Sequence, residues 1–307
     1  MHKMQKILLA TRFTNDLYQL IVKACTDDLK RSEKKLKNIK VEVIKISKTP
    51  DIKFLLKCAF YLLQGKFFFK EKIILLKYKN INFGKHLFSF TLRDYEAYES
   101  KYKFYFFLFK KVYIISKYFK TADYYLKYCK FENVYIDHLE YLNGIFYQIF
   151  IAKNKTIYAN RYPRNILKTS NKKLIDIFKL DFKDQNFSNK NKEKIVKEAK
   201  KIFKNANSYL PWMDYTKYNL LKKQNFSKYD YIIYTHSFTD AQLCYGFDGF
   251  LDTLEWLEFT TRVLQKRKVN FIIKPHPNFY SKSFGEMATW DRKIYTNFVN
   301  KIKSFFK

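Results

Sequence analysis

The chain has 307 residues, 47% of them hydrophobic, which is enough for one large domain or two of ordinary size and too apolar for a disordered segment. A formal charge of +32 invites a nucleic-acid reading, but the lysines are spread along the whole chain and no recognised binding module appears; 32 Phe and 26 Tyr beside 6 Gly and 5 Pro are what AT-rich coding would produce. A dedicated nucleic-acid binder is therefore set aside, whereas an anionic partner such as a membrane face or a nucleotide-sugar fits the charge.

Residues Lys6 to Ala10 read as a first strand, followed by a helical pattern over 15–37 that turns strongly basic at its end. The N-terminal apolar stretch is too short for a secretory signal, and lysines interrupt every run that might span a bilayer. Cys25, Cys58, Cys129 and Cys244 lie far apart without a CxxC pair, which argues against a disulfide framework or a cysteine-rich zinc site and suits a reducing cytoplasm. The expectation is a cytoplasmic protein, soluble or peripheral at the inner membrane face.

Val41 to Ile46 alternates like a second strand, and Pro50 with Asp51 opens an apolar helix through Leu63. Ile73 to Leu76 is a candidate further strand. Strands separated by helical lengths are the pattern of a parallel α/β layer. Between Tyr95 and Tyr128 aromatics and lysines alternate densely. This stretch reads either as a basic aromatic surface lying on an anionic membrane or as one or two core helices with lysine on the wet side; the blurred periodicity favours the core helices.

Asn133 to Asp137 predicts a strand, 138–143 a polar loop, Ile145 to Lys153 a helix and Lys155 to Ala159 another strand, making a βαβ unit. Asp137, His138 and Glu140 follow the first strand of that unit and are candidate substrate-binding residues in a cleft wall, with helix capping the simpler role for Asp137. Arg161, Pro163 and Arg164 close this half. The lysine-rich, polar segment 171–210 reads as an exposed connection carrying a surface helix over 192–204, so the expected organisation is a lobe over 1–170, a basic connection over 171–210 and a second, partial lobe over 211–307.

The second lobe holds the most informative stretch: YIIYTHSFTDAQ, an amphipathic run carrying Leu251, Leu254, Leu257, Phe259 and Val263, then NFIIKPHPN. This is strand, loop, helix, strand, loop, and a βαβ unit brings both loops, with His236 and His276, to one rim of one sheet, where ligands of open α/β sheets sit. In KPHPN two prolines stiffen the turn around His276, Lys274 adds a cation, and Asn278 follows as a further polar contact. That set suits a phosphate, with His276 donating to a departing phosphate oxygen. His236 is a second phosphate or sugar contact. Asp240 is the candidate general base for an acceptor hydroxyl, with helix capping as its plainer role. Asp248, Asp252 and Glu255 read as the start and wet face of the helix, and the spacing of histidines and carboxylates predicts no metal site and no bound cofactor. No Walker loop, GxGxxG, GxSxG or HExxH is present.

THSFTDAQ, EWLEFT and the IKPHPN loop together resemble the bacterial capsule and surface polysaccharide biosynthesis proteins, GT-B-type glycosyltransferases with an HP motif; NVYIDHLEYLNGIFYQIFIAKNKTIYA is similar to the unit that ends their N-terminal lobe. The likeness spans about residues 130–280. It implies an α/β fold of two Rossmann-like lobes with parallel sheets flanked by helices. It also implies a nucleotide-sugar donor on the C-terminal lobe, with His276 at its phosphate, and a glycan or lipid-linked acceptor on the N-terminal lobe. In that family the second lobe continues well past the HP loop, whereas only about thirty residues follow Pro277 here, so an incomplete second lobe is expected. Transfer of a polyol phosphate, as in teichoic-acid-like polymer synthesis, and a non-catalytic binding role in the same pathway are the alternatives.

Overall fold

The computed structural model describes residues 5–10, 39–136, 141–161, 165–169, 228–240, 249–276 and 285–304, with a few isolated positions besides. They fall into two compact units, one of Met1–Phe178 with Leu243–Asp248, the other of Lys179–Gln242 with Gly249–Lys307. The predicted helix over 15–37, the connection over 171–210 with its surface helix, and Asp137, His138, Glu140, Asp248, Pro277 and Asn278 lie outside the described residues, isolated positions apart.

The first unit is built on a sheet of β1 (Gln5–Ala10), β2 (Ile39–Val43), β5 (Asn133–Ile136), β6 (Thr156–Arg161) and β7 (Asn165–Thr169), in the order β2-β1-β5-β6-β7. The first four strands run parallel: β1 pairs with β2 on one side and β5 on the other, and β5 pairs with β6. Ile7, Leu8 and Leu9 are fully buried, as are Val134 and Ile136, because a parallel strand covered on both faces has no wet side to alternate with. The β5 to β6 connection contains α5 (Tyr141–Ala152), so the predicted βαβ unit is present and the helix starts inside the span expected as a loop. The parallel sheet is extended at one edge by β7, which pairs antiparallel with β6 from Ile157↔Thr169 to Arg161↔Asn165. The half does not close at Arg161; the chain folds back as an edge strand. The arrangement is α/β and compatible with a Rossmann-like lobe.

Between β2 and β5 the chain is mostly helical: α1 (Ile52–Leu63), α2 (Lys70–Ile73), α3 (Gly84–Thr91) and α4 (Lys101–Tyr128), with a short hairpin of β3 (Lys77–Tyr78) and β4 (Ile81–Asn82). The strand expected over Ile73 to Leu76 is therefore a helix end and a turn; a four-residue apolar run does not carry enough periodicity to separate the two. Asp51 starts α1 as predicted, its carboxylate accepting from the Phe54 N–H at 3.1 Å and from the Tyr78 hydroxyl at 3.3 Å, while its own N–H donates to the Ser116 carbonyl at 3.3 Å. Above that cap Phe54 stacks on Phe119 at 5.0 Å and meets Tyr78 and Phe83 edge-on, so one aromatic cluster joins α1, the hairpin and α4. Gly84 is required at the start of α3: a Cβ there would stand 2.0 Å from the Ile73 carbonyl oxygen.

The densely aromatic stretch forms one helix of 28 residues, with an N-cap at Ser100. Phe104, Leu108, Val112, Ile115, Phe119, Ala122 and Tyr125 are buried along one side. Lys111 is buried too, compensated by Asp94 at 2.5 Å and by the Phe90 ring at 4.1 Å. No described helix is long and apolar enough to cross a membrane.

His86 on α3 is buried, and its Nε2 accepts from the Gln148 amide of α5 at 2.6 Å, which places the ring proton on Nδ1. Burial, with Lys85 adding to it, lowers its pKa from 6.5 to about 4. A folded-state pKa below the unfolded one means full stability above pH 6.5 and a progressive loss as pH falls to about 4, on the order of 3 kcal/mol in total. Urea unfolding across that window should show His86→Gln losing less stability than wild type; parallel losses would exclude His86 as the cause.

Candidate functional site

The second unit contains β8 (Tyr231–Tyr234), α6 (Thr253–Lys266), β9 (Phe271–Lys274) and α7 (Gly285–Ser304). β8 and β9 pair parallel, Tyr231↔Phe271 through Tyr234↔Lys274, so the predicted strand-helix-strand unit is the observed one. The helix between them is started by a reciprocal cap: Asp252 accepts from the Glu255 N–H at 2.8 Å, and the Glu255 carboxylate accepts from the Leu251 N–H at 2.8 Å. Both carboxylates thus belong to the helix start, as their positions in the sequence suggest. Leu257 and Thr261 form the buried stripe of α6, whereas Phe259 is exposed and meets Phe250 at 5.3 Å, the rings tilted by 48°.

Parallel pairing sends both strand ends to the same edge. The ladder continues one step beyond the strands, where the Thr235 N–H donates to the Lys274 carbonyl at 3.0 Å, and the Thr235 hydroxyl accepts from the His276 N–H at 3.1 Å. Thr235 therefore clips the KPHP loop onto the THSFTD loop. The rings of His236 and His276 come to rest 5.5 Å apart, tilted by 48°. Tyr234 and Lys274, one pleat earlier on their strands, pair across the ladder with the Lys274 ammonium 5.6 Å from the Tyr234 ring centroid. Of the predicted set, the structure brings His236, His276 and Lys274 onto one edge, with Asp240 close enough to act electrostatically on His276.

The two histidines differ. His236 is exposed and its Nδ1 lies 3.0 Å from the Ser237 carbonyl oxygen. A carbonyl only accepts, so Nδ1 carries the proton and Nε2 presents a lone pair when the ring is neutral. His276 is half-buried, and burial, reinforced by His236, holds its pKa below the ordinary imidazole value while Asp240 opposes the shift. An anion laid against His276 favours its protonated ring, because it supplies the countercharge that burial withholds. Among the described residues no group of three or more His, Cys, Asp or Glu is placed to hold a metal ion.

The loop carrying His236 and Asp240 is anchored by Asp291 of α7, a residue that sequence reasoning passed over. Its carboxylate accepts from the Phe238 N–H at 3.0 Å and the Thr239 hydroxyl at 3.4 Å, with the Ser237 hydroxyl beside it. Asp291 is 2% exposed, and burial raises its pKa despite those donors. The signal was present in the sequence: Asp291 falls in line with Ile294 and Phe298, which are also buried on α7, at helical spacing.

In the first unit the order of the sheet reverses beside β1, with β2 on one side and β5 on the other. Ligands of such sheets bind beyond the carboxyl ends of the strands at that reversal. Asp137, His138 and Glu140 directly follow β5 in the chain, outside the described residues, and Asn278 likewise follows the KPHP loop.

Comparison with protein-family models, with curated proteins and with solved structures finds no match.

Asp291→Ala should leave the Phe238 N–H buried without its acceptor and cost about 1–3 kcal/mol, whereas Asp291→Asn, which keeps an acceptor oxygen, should cost less. Chemical unfolding of both variants checks this. Equal losses would show that the carboxylate's charge or its second acceptor oxygen, rather than a single hydrogen bond to the loop, is what matters.

Proposed function

We propose that this chain is a glycosyltransferase of surface polysaccharide assembly, using a nucleotide-activated sugar whose phosphates lie against His276 and His236. The observation that carries this reading is the pair of imidazoles 5.5 Å apart at the carboxyl edge of a parallel β8–β9 pair, with Lys274 on the same edge and a carboxylate, Asp240, acting on one of them. Sugar transfer breaks the bond between the anomeric carbon and a phosphate oxygen and leaves negative charge on that oxygen. Protonated His276, with Lys274 adding positive charge, stabilises it there, and half-burial of His276 makes the contact stronger than it would be in water. Asp240 takes the proton of the acceptor hydroxyl as that oxygen attacks the anomeric carbon. The sequence resemblance to capsule polysaccharide proteins supports the sugar as the transferred group, and the acceptor is then a glycan or lipid-linked glycan.

A thermal-shift titration of the full chain with CMP-, UDP- and GDP-linked sugars tests the reading, since a ligand that binds only the native state raises its apparent stability. One nucleotide class should give a saturable shift, and His276→Ala should weaken it by at least about tenfold, the loss of one charge-assisted hydrogen bond. The affinity should also rise as pH falls. Free His276 has a lowered pKa and the bound anion raises it, so binding takes up a proton and strengthens until pH drops below the free-state value. No shift with any donor from a folded protein, or an affinity that His276→Ala leaves unchanged, would overturn the assignment.

A further inference from the structure

The outer surface of the first unit is unusually apolar for a chain so rich in lysine. On α1 the exposed residues are Ile52, Leu56, Phe60 and Leu63, at spacings of four, four and three, so they form one stripe, and Leu63 is 86% exposed. On α4 Tyr102, Phe106, Phe109 and Tyr113 repeat the pattern, with Tyr102 80% exposed. These stripes lie opposite the buried faces of the same helices, so α1 and α4 are apolar on both sides. The turn that follows α1 extends the apolar surface: Phe68 and Phe69 are each more than half exposed, Phe68 meets Tyr105 at 6.2 Å between centroids, and buried Phe67 meets Phe109 at 5.7 Å. Single exposed apolar side chains are ordinary on a protein surface, but two helical stripes and a turn linked to one of them are not.

Lysines are interleaved with these rings. Lys57 lies 5.2 Å from the Phe60 ring centroid, Lys66 4.7 Å from Tyr61 and Lys72 4.4 Å from Phe69. Residues 52–82 contain seven lysines and a single acidic residue, Glu71. Three of the seven, Lys66, Lys72 and Lys77, line a cavity of about 300 Å³ together with Tyr61, Leu75 and Leu76. Its wall is fixed, since the Tyr61 hydroxyl donates to the Lys77 carbonyl at 2.7 Å. Leu75 belongs to both environments, lining the cavity and standing 64% exposed.

We propose that this face, centred on the turn after α1 and the first half of α4, docks on an anionic lipid bilayer, with the lysine-lined cavity taking a phosphate headgroup. Phe68, Phe69 and Leu75 enter the boundary between headgroups and acyl chains, and the lysines stacked on the rings keep their ammonium groups at the phosphate level. Charge decides the occupant. A second copy of this chain would set one lysine-rich face against another, and a wholly apolar partner would leave the three cavity lysines without a countercharge. A bilayer carrying anionic lipid supplies apolar depth and negative charge in the arrangement the surface presents. The inference does not depend on the histidine site of the other unit, so either can fail alone.

The test is co-sedimentation of the purified full chain with vesicles of phosphatidylcholine alone and of phosphatidylcholine mixed equally with phosphatidylglycerol. Wild type should pellet with the mixed vesicles and much less with the neutral ones. The triple variant Lys66→Gln, Lys72→Gln, Lys77→Gln should bind at least about tenfold more weakly, while Lys153→Gln, Lys228→Gln, Lys266→Gln, which removes the same charge elsewhere, should change binding less than about twofold. Phe68→Ser with Phe69→Ser should also weaken binding by about tenfold. These side chains are exposed, and matched thermal unfolding confirms that the variants fold. Equal losses from the two lysine triples would reduce the effect to diffuse attraction and overturn the proposal. So would binding that survives the phenylalanine changes, the absence of vesicle binding, or tight binding of soluble glycerol phosphate that the vesicles do not enhance, which would mark a free phosphate ligand.

Discussion

Parallel pairing is the constraint on which both halves of this chain depend. Two parallel strands cannot be joined by a tight turn, so each pair is connected by a crossover, and each crossover returns the chain to the same starting edge. In the second unit this brings the loops after β8 and β9 together although forty residues separate His236 from His276. In the first unit it sets β1 between β2 and β5 and creates the reversal beside which Asp137, His138 and Glu140 follow in the chain. The candidate residues His236, Asp240 and His276 sit on the loops and Lys274 at the end of β9, so small polar residues such as Thr235, at the strand ends, decide how the loops are held.

The long helix α4 shows a second constraint acting at the same positions. A helix buried on one side normally carries polar residues on the other, and its periodicity is then plain. Here Phe104, Leu108 and Ile115 face the core while Tyr102, Phe106 and Phe109 face out, so apolar residues recur on both sides and the pattern cancels. The blurred periodicity was a consequence of apolar residues on both sides of the helix, the buried one and the exposed one. Lysine placed between the outer rings keeps that face hydrated without making it polar, because the ammonium group sits at the end of a stem that itself covers apolar surface.

Much of the fold was legible in the sequence. Asp51 after Pro50 marked the start of α1, and the apolar runs of β1 and β5 stood out because a buried parallel strand leaves no room for polar residues, while β8 and β9 stood out as short β-prone runs although Ile233 alone of their residues is buried. The juxtaposition of His236 and His276 followed from topology alone. The missed elements share a physical reason: nothing in their own few residues carries a period or names a partner. The hairpin at residues 77–82 has strands of two residues, too short for any period. β7 carries Lys168 and reads as a polar run after Pro163, and only its pairing with β6 makes it a strand. Asp291 acts on a loop 53 residues away; its place in line with Ile294 and Phe298 marks it as inward-facing, but nothing in the sequence says which loop it holds.

Asp291 also explains how a site can rest on so small a sheet. An isolated pair of strands is marginal in water, and β8 and β9 are the only strands described in their unit. The loop after β8 contributes Phe238, which is 2% exposed, together with buried Ser237 and Thr239, and all three converge on a single buried carboxylate of α7. The Tyr295 hydroxyl of the same helix reaches the Ile273 carbonyl of β9 at 3.5 Å, and Lys301 pairs with Glu258 of α6 at 2.7 Å. α7 therefore ties together both strands and the crossover helix. Since the segment that places His236 is also the segment that Asp291 holds, the stability of this unit and the geometry of the histidine pair rest on the same interaction. A change that loosens α7 therefore disturbs the loop that carries the exposed ring of His236 along with the fold of this unit.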